Sequence, residues 1–193
     1  NTFDQQGRML TCETSGRRVS ITERDGAVRT LVDRYRGGRM TSPNDIVVKS
    51  DGTVWFTDPD YGALHADIGH GNKVEQARNR VYRYDPRTGE LTAVSEDFDK
   101  PNGIAFSPDE KHLYVGDTGR THGEFRNHHL VRFEVASGGG SVKNGRVFCV
   151  VDPGVPDGFR FDVDGNLYVG AGDGVQVFNR DGVLIGKIKT AEA

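Results

Sequence analysis

The stretch Asp162-Val163-Asp164-Gly165-Asn166-Leu167-Tyr168-Val169-Gly170 sets a tight Asp-Gly turn directly before a short strand with an aromatic centre, which is a hairpin signature. Three drifted copies precede it in the chain. They are Asp4-Gln5-Gln6-Gly7-Arg8-Met9-Leu10-Thr11-Cys12-Glu13, Lys49-Ser50-Asp51-Gly52-Thr53-Val54-Trp55-Phe56-Thr57-Asp58 and Ser107-Pro108-Asp109-Glu110-Lys111-His112-Leu113-Tyr114-Val115-Gly116-Asp117. The turns fall at residues 6–7, 51–52, 109–110 and 164–165. A repeat of 45 to 58 residues is the length of one four-stranded unit.

A second phrase completes each unit. Arg18-Val19-Ser20-Ile21-Thr22, Arg80-Val81-Tyr82-Arg83-Tyr84 and Gly174-Val175-Gln176-Val177-Phe178 alternate with period two and run into a turn and a return strand. The third unit is looser, with His129-Leu130-Val131-Arg132-Phe133-Glu134-Val135 followed by a Gly138-Gly139-Gly140 loop. Two hairpins per unit, repeated four times, point to an all-β chain built as a β-propeller, in which stacked sheets bury both faces. Strand alternation alone also permits a sandwich; the long period and the likeness between units favour the propeller. The expectation is one propeller domain over residues 1–193, truncated at both ends, because the first unit begins in mid-strand and no fifth unit follows Ile188.

Composition agrees with this reading. Of 193 residues 26 are Gly, about twice the usual share of roughly 7%, which leaves little room for long helices. A helical bundle or a doubly wound α/β fold is thereby disfavoured. No apolar run approaches the roughly 18 residues of a membrane span. The net charge of −3, with acids and bases interspersed, offers no footprint for nucleic acid. Arg34, Arg36 and Arg39 form the densest basic cluster and read as a solvated turn. Cys12 and Cys149 lie far apart in apolar strands, match no metal or redox motif, and read as small buried hydrophobes. The first residue is not Met, so the compartment stays open; the cytoplasm is favoured, with periplasm or secretion as alternatives.

The candidate chemistry lies just ahead of the inner strands. Pro43-Asn44, Pro101-Asn102 and Pro156-Asp157 each precede a hydrophobic strand, and the polar residue stands seven positions before the turn Asp every time. In a propeller, equivalent inner-strand positions converge on the central channel. Amide and carboxylate oxygens suit Ca²⁺ better than Zn²⁺, and three are fewer than the six to eight oxygens that Ca²⁺ takes. The plainer reading is that Pro-Asn and Pro-Asp are turn formers. Asp58 and Asp117 close the second strands at equivalent offsets. They read either as turn residues at the blade edge or as bases or supporting partners of the site. His122, His128 and His129 show no metal spacing, and Gly170-Ala171-Gly172-Asp173-Gly174 leads into a strand rather than the helix of a dinucleotide site. No Gly-x-Ser-x-Gly elbow is present, which argues against a serine hydrolase.

Together, Ser42-Pro43-Asn44-Asp45 with Trp55-Phe56-Thr57-Asp58-Pro59, Lys100-Pro101-Asn102-Gly103-Ile104-Ala105-Phe106-Ser107-Pro108-Asp109, and Pro156-Asp157-Gly158 with Asp164-Gly165-Asn166-Leu167-Tyr168-Val169 resemble the gluconolactonase family, also called SMP-30/regucalcin-like, over nearly the whole chain. The resemblance implies a six-bladed propeller, about four blades of which are present here. It also implies a divalent cation, Ca²⁺ foremost with Zn²⁺ or Mn²⁺ as alternatives, and hydrolysis of sugar lactones. Carried over by motif, Asn102 and Asp157 match metal ligands, and Asn44 matches a position that holds metal in some members and substrate in others. Two features depart from the pattern: the family's N-terminal Glu-Gly-Pro ligand segment has no counterpart, and Ser42 stands where animal members carry a substrate-gripping Arg.

The mechanism that the resemblance implies is lactone hydrolysis, in which the cation polarises the carbonyl and Asp157 acts as general base on water. Two alternatives remain: a non-catalytic propeller scaffold or binding module, and an organophosphate or aryl-ester hydrolase on the same site.

Overall fold

The computed structural model describes residues 1–69, 71 and 73–190. These form two compact units, 1–98 and 99 onward, each built on two four-stranded antiparallel meanders.

In the first unit β1 (Thr2–Phe3), β2 (Met9–Glu13), β3 (Arg18–Thr22) and β4 (Val28–Val32) make one sheet. After a small hairpin of β5 (Arg34–Tyr35) and β6 (Gly38–Arg39), the strands β7 (Ile46–Val48), β8 (Val54–Asp58), β9 (Arg80–Asp85) and β10 (Glu90–Ser95) make the other. The second unit holds β11 (Pro101–Phe106), β12 (His112–Asp117), β13 (His129–Val135) and β14 (Val142–Val150), then β15 (Phe159–Phe161), β16 (Leu167–Ala171), β17 (Gly174–Phe178) and β18 (Leu184–Ile188). The third sheet, the loosest in sequence, is complete: β13 and β14 stay paired from His129 opposite Val150 to Val135 opposite Val142, with bulges absorbing the mismatch.

All four predicted turns open a β-hairpin. Gly7, Gly52 and Gly165 sit at φ of 74°, 83° and 77°, the left-handed region that glycine enters without steric cost. Glu110 takes the same place at φ 54°, so the geometry persists where the glycine is lost. The amides of all four donate to the carbonyls three residues back, at Asp4, Lys49, Ser107 and Asp162.

Each unit's core lies between its own two sheets, because alternation gives every sheet an apolar face to bury. In the first, Leu10, Val19, Ile21 and Val32 meet Ile46, Val54, Phe56 and Tyr82, and the last two rings stack with centroids 5.2 Å apart. In the second, Ala105, Tyr114 and Leu130 meet Phe159, Leu167, Val169 and Phe178. Strand β8 is buried along its whole length, so both of its faces are covered. Trp55 accordingly finds an internal partner, its Nε1 donating to Thr53 Oγ1 at 2.9 Å.

Other expectations are refined here. The Arg34–Arg39 region is a hairpin rather than a plain turn: the Gln76 side chain donates to the carbonyls of Tyr35, Gly38 and Arg39, and the Arg36 guanidinium lies 5.1 Å from the Tyr35 ring centre. Two single-turn helices, α1 (Tyr61–Leu64) and α2 (Ala66–Gly69), occupy a loop that the repeat pattern leaves unread. Both cysteines are free thiols in apolar surroundings; burial pushes Cys149 up to about 12 and Cys12 well above the ordinary thiol range. Among the described residues no helix is long and apolar enough to cross a membrane.

Candidate active site

The three Pro-Asn and Pro-Asp segments enter their sheets in one register. Asn44 N donates to the Thr57 carbonyl (2.9 Å), and Thr57 N returns a bond to the Asp45 carbonyl (3.0 Å). Asp157 N and Gly170 N repeat the exchange with Gly170 and Gly158 at 3.1 and 3.0 Å, and Pro101 pairs with Asp117 at the start of β11. Proline suits this boundary because its missing N–H would otherwise go unpaired. Asn44 and Asn102 are half-buried, whereas Asp157 is exposed.

In the second unit the inner strands touch backbone to backbone. A methyl group placed on Gly103 would stand 2.3 Å from the Asp157 carbonyl oxygen and 2.9 Å from the Phe159 ring, and one on Gly116 would stand 2.8 Å from the Pro156 carbonyl. Glycine in a strand marks such an approach. The structure therefore brings the Asn102 and Asp157 segments together; Asn44 holds the same register within the first unit. No cluster of three His, Cys, Asp or Glu side chains suited to a metal forms among the described residues.

Behind each Pro-Asn segment lies a buried carboxylate. Asp58, at the end of β8, accepts Thr41 N at 3.1 and 3.0 Å and Ser42 N at 2.7 Å. Asp117, at the end of β12, accepts Asp99 N (2.9 Å), Lys100 N (3.0 Å), Gly119 N (3.1 Å) and Asn127 Nδ2 (2.9 Å). Both are 1% exposed, their oxygens taken up by these donors. In the fourth sheet Ala171 holds the corresponding place. There, Gln176 Nε2 donates to the Asp152 carbonyl (3.0 Å) and Gly172 N to the Pro153 carbonyl (3.0 Å).

Ser42 faces inward, its hydroxyl donating to the Pro59 carbonyl (2.6 Å) and accepting from Gly62 N (3.0 Å). Buried and doubly bonded, it braces the loop at residues 59–62. His128 and Arg120 are likewise held, both ring and guanidinium reaching the chain around Val151 and Asp152.

Burial pushes the Asp58 carboxyl up to about 6; its backbone donors Thr41 and Ser42 and the charges of Arg17 and Arg80 pull the other way. Unfolded, the group titrates near the ordinary value of about 3.9. The folded form then holds more protons between these values, so the stability contributed is full below about pH 4 and is lost as pH rises through about 6. Urea unfolding between pH 4 and 7 is expected to show a fall steeper by about 2 kcal/mol in the wild type than in Asp58→Asn. Parallel pH profiles would show that Asp58 titrates as an exposed carboxylate does.

A model of the SMP-30/gluconolactonase/LRE-like region matches residues 1–193. The chain belongs to the SMP-30/gluconolactonase/LRE-like family. Its fold is that family's β-propeller, and the four four-stranded sheets are its blades. A gluconolactonase of Zymomonas mobilis is 35% identical over 160 residues, covering 82% of this chain and 44% of that protein. The solved structure of a gluconolactonase from Xanthomonas campestris is 38% identical with a TM-score of 0.90, covering 98% of this chain and 61% of that one. A calcium-binding protein, regucalcin, from Agrobacterium tumefaciens shares the fold at 21% identity and a TM-score of 0.70, covering 95% of this chain and 57% of its own. The chain thus spans less than two thirds of the length of these family members.

Proposed function

We propose that this chain carries part of the active centre of a lactone hydrolase acting on sugar-type lactones with a divalent cation. The observation that supports the reading is the close approach of Gly103 to the Asp157 backbone carbonyl, which brings Asn102 of β11 beside Asp157 just ahead of β15, in a family with gluconolactonases at 35% and 38% identity. These donors fit a hard cation such as Ca²⁺: both offer oxygen, and two side chains leave most of a six- to eight-oxygen shell for water, substrate and further residues. Asn102 and Asp157 are the proposed ligands, and Asn44 is proposed as a further ligand or a substrate contact. A bound divalent cation would supply Lewis-acid polarisation of the lactone carbonyl.

The chain's own part is positional and acid–base. Asp157, exposed to solvent, accepts a proton as water adds to the carbonyl carbon, then returns it to the ring oxygen as the C–O bond breaks. One water is consumed and a hydroxy acid leaves.

The test is turnover of an aldonolactone, an aryl ester and a phosphate triester by the 193-residue protein, before and after EDTA treatment and with Ca²⁺, Zn²⁺ or Mn²⁺ restored. Preference for the aldonolactone, lost with EDTA and recovered with a cation, is expected. Turnover indifferent to EDTA contradicts the metal-dependent mechanism, a preference for the aryl ester or triester selects the other hydrolase reading, and no turnover favours a binding scaffold.

A further inference from the structure

We propose that Asp58 and Asp117 are positioning residues, each fixing a Pro-Asn segment so that Asn44 and Asn102 are set in place before substrate or cation arrives. The inference rests on the lactonase reading above and goes beyond it in assigning a task to two carboxylates that touch neither the proposed substrate nor the proposed cation.

The arrangement occurs twice, once in each unit. Asp58 takes both backbone N–H groups ahead of Pro43, and Asp117 takes both ahead of Pro101, all at 2.7–3.1 Å. The intervening chain is one residue longer in the second unit, since Ser42 and Asp58 are 16 apart and Lys100 and Asp117 are 17 apart. Strand register rather than loop length therefore selects the partner. The following Pro locks its own φ and restricts the residue before it to extended backbone. Each Asn is thus held on both sides, upstream by a carboxylate clamp on a stiff dipeptide and downstream by the strand.

A buried carboxylate is a costly way to satisfy two amides unless the hydrogen bonds to its charge are needed for their strength and direction. The fourth blade supplies the contrast. At the same register Ala171 has no side-chain acceptor to offer, and the chain ahead of Pro156 is held instead through its carbonyls, Pro153 accepting from Gly172 N and Asp152 from Gln176 Nε2. The carboxylate clamp thus accompanies the two Asn segments and not the Asp157 segment.

A double-mutant cycle tests this with Ca²⁺ and Zn²⁺ titrated calorimetrically into the 193-residue protein. Asn102→Ala and Asp117→Asn are each expected to weaken cation binding about tenfold or more, while Asp117→Asn added to Asn102→Ala changes affinity less than twofold, because the clamp then has nothing to position. Losses that multiply in the double variant, or an Asp117→Asn protein that binds as the wild type does, would overturn the proposal while leaving the lactonase reading intact. An Asn102→Ala protein with wild-type affinity would overturn both. Asp58→Asn and Asn44→Ala form the matching cycle, read in KM and kcat. Should the Asp variants fail to fold, amide exchange in the wild type decides: Asp99, Lys100, Thr41 and Ser42 are expected to exchange slowly with or without cation, and rapid exchange without it overturns the proposal.

Discussion

Asp157→Asn is expected to lower kcat/KM for a sugar lactone by at least about 100-fold, the lower end of what a positioned proton acceptor contributes. The substitution keeps shape and one oxygen but removes the charge and the ability to take a proton from water. Stability should hardly move, because Asp157 is exposed and surface substitutions stay within about 0.5 kcal/mol. Near-complete loss of turnover with an unchanged melting temperature is thus the expected pair of results, measured by steady-state kinetics and calorimetric melting. Turnover within threefold of the wild type would remove Asp157 from the chemistry.

The second large effect is expected at a residue with no side chain. Gly103→Ala would place a methyl 2.3 Å from a backbone oxygen and 2.9 Å from the Phe159 ring. Neither neighbour can swing aside as the tip of a flexible side chain could, so the two inner strands must part. A loss of about 1–3 kcal/mol is expected, together with weakened cation binding as Asn102 moves away from Asp157. Gly158→Ala is the control. It follows Asp157 as Gly103 follows Asn102, yet a methyl there meets nothing within 4 Å, so it should change stability by no more than about 0.5 kcal/mol. Urea unfolding of the two variants checks the contrast, and equal effects would show that the strands are not in contact at Gly103.

Much of the fold is legible in the sequence itself. Turn chemistry is local, so the four hairpin turns were visible from a few residues each, even at Glu110 where the glycine is missing. The spacing of Pro43-Asn44, Pro101-Asn102 and Pro156-Asp157 was visible because proline and a following polar residue are both tied to one strand boundary. What escaped depends on contacts between distant residues. Gly103 and Gly116 look like ordinary strand glycines, and only the neighbouring strand shows why a methyl is excluded there. Asp58 and Asp117 could be read as turn residues or as bases until the direction of the Thr41, Ser42, Asp99 and Lys100 amides was known. Ser42 was legible as a departure from the family's Arg, but not as a brace for residues 59–62. The short helices of residues 61–69 follow no periodic pattern, so nothing in the sequence marked them.

The central proposal is that Asn102 and Asp157, where the inner strands of the second unit's two sheets adjoin, hold a cation. Calorimetric titration of Ca²⁺ into the 193-residue protein and into Asp157→Ala tests it most directly. One cation bound per chain, with binding abolished by the substitution, is the predicted result; no binding by the wild type, or equal binding by both proteins, would contradict it.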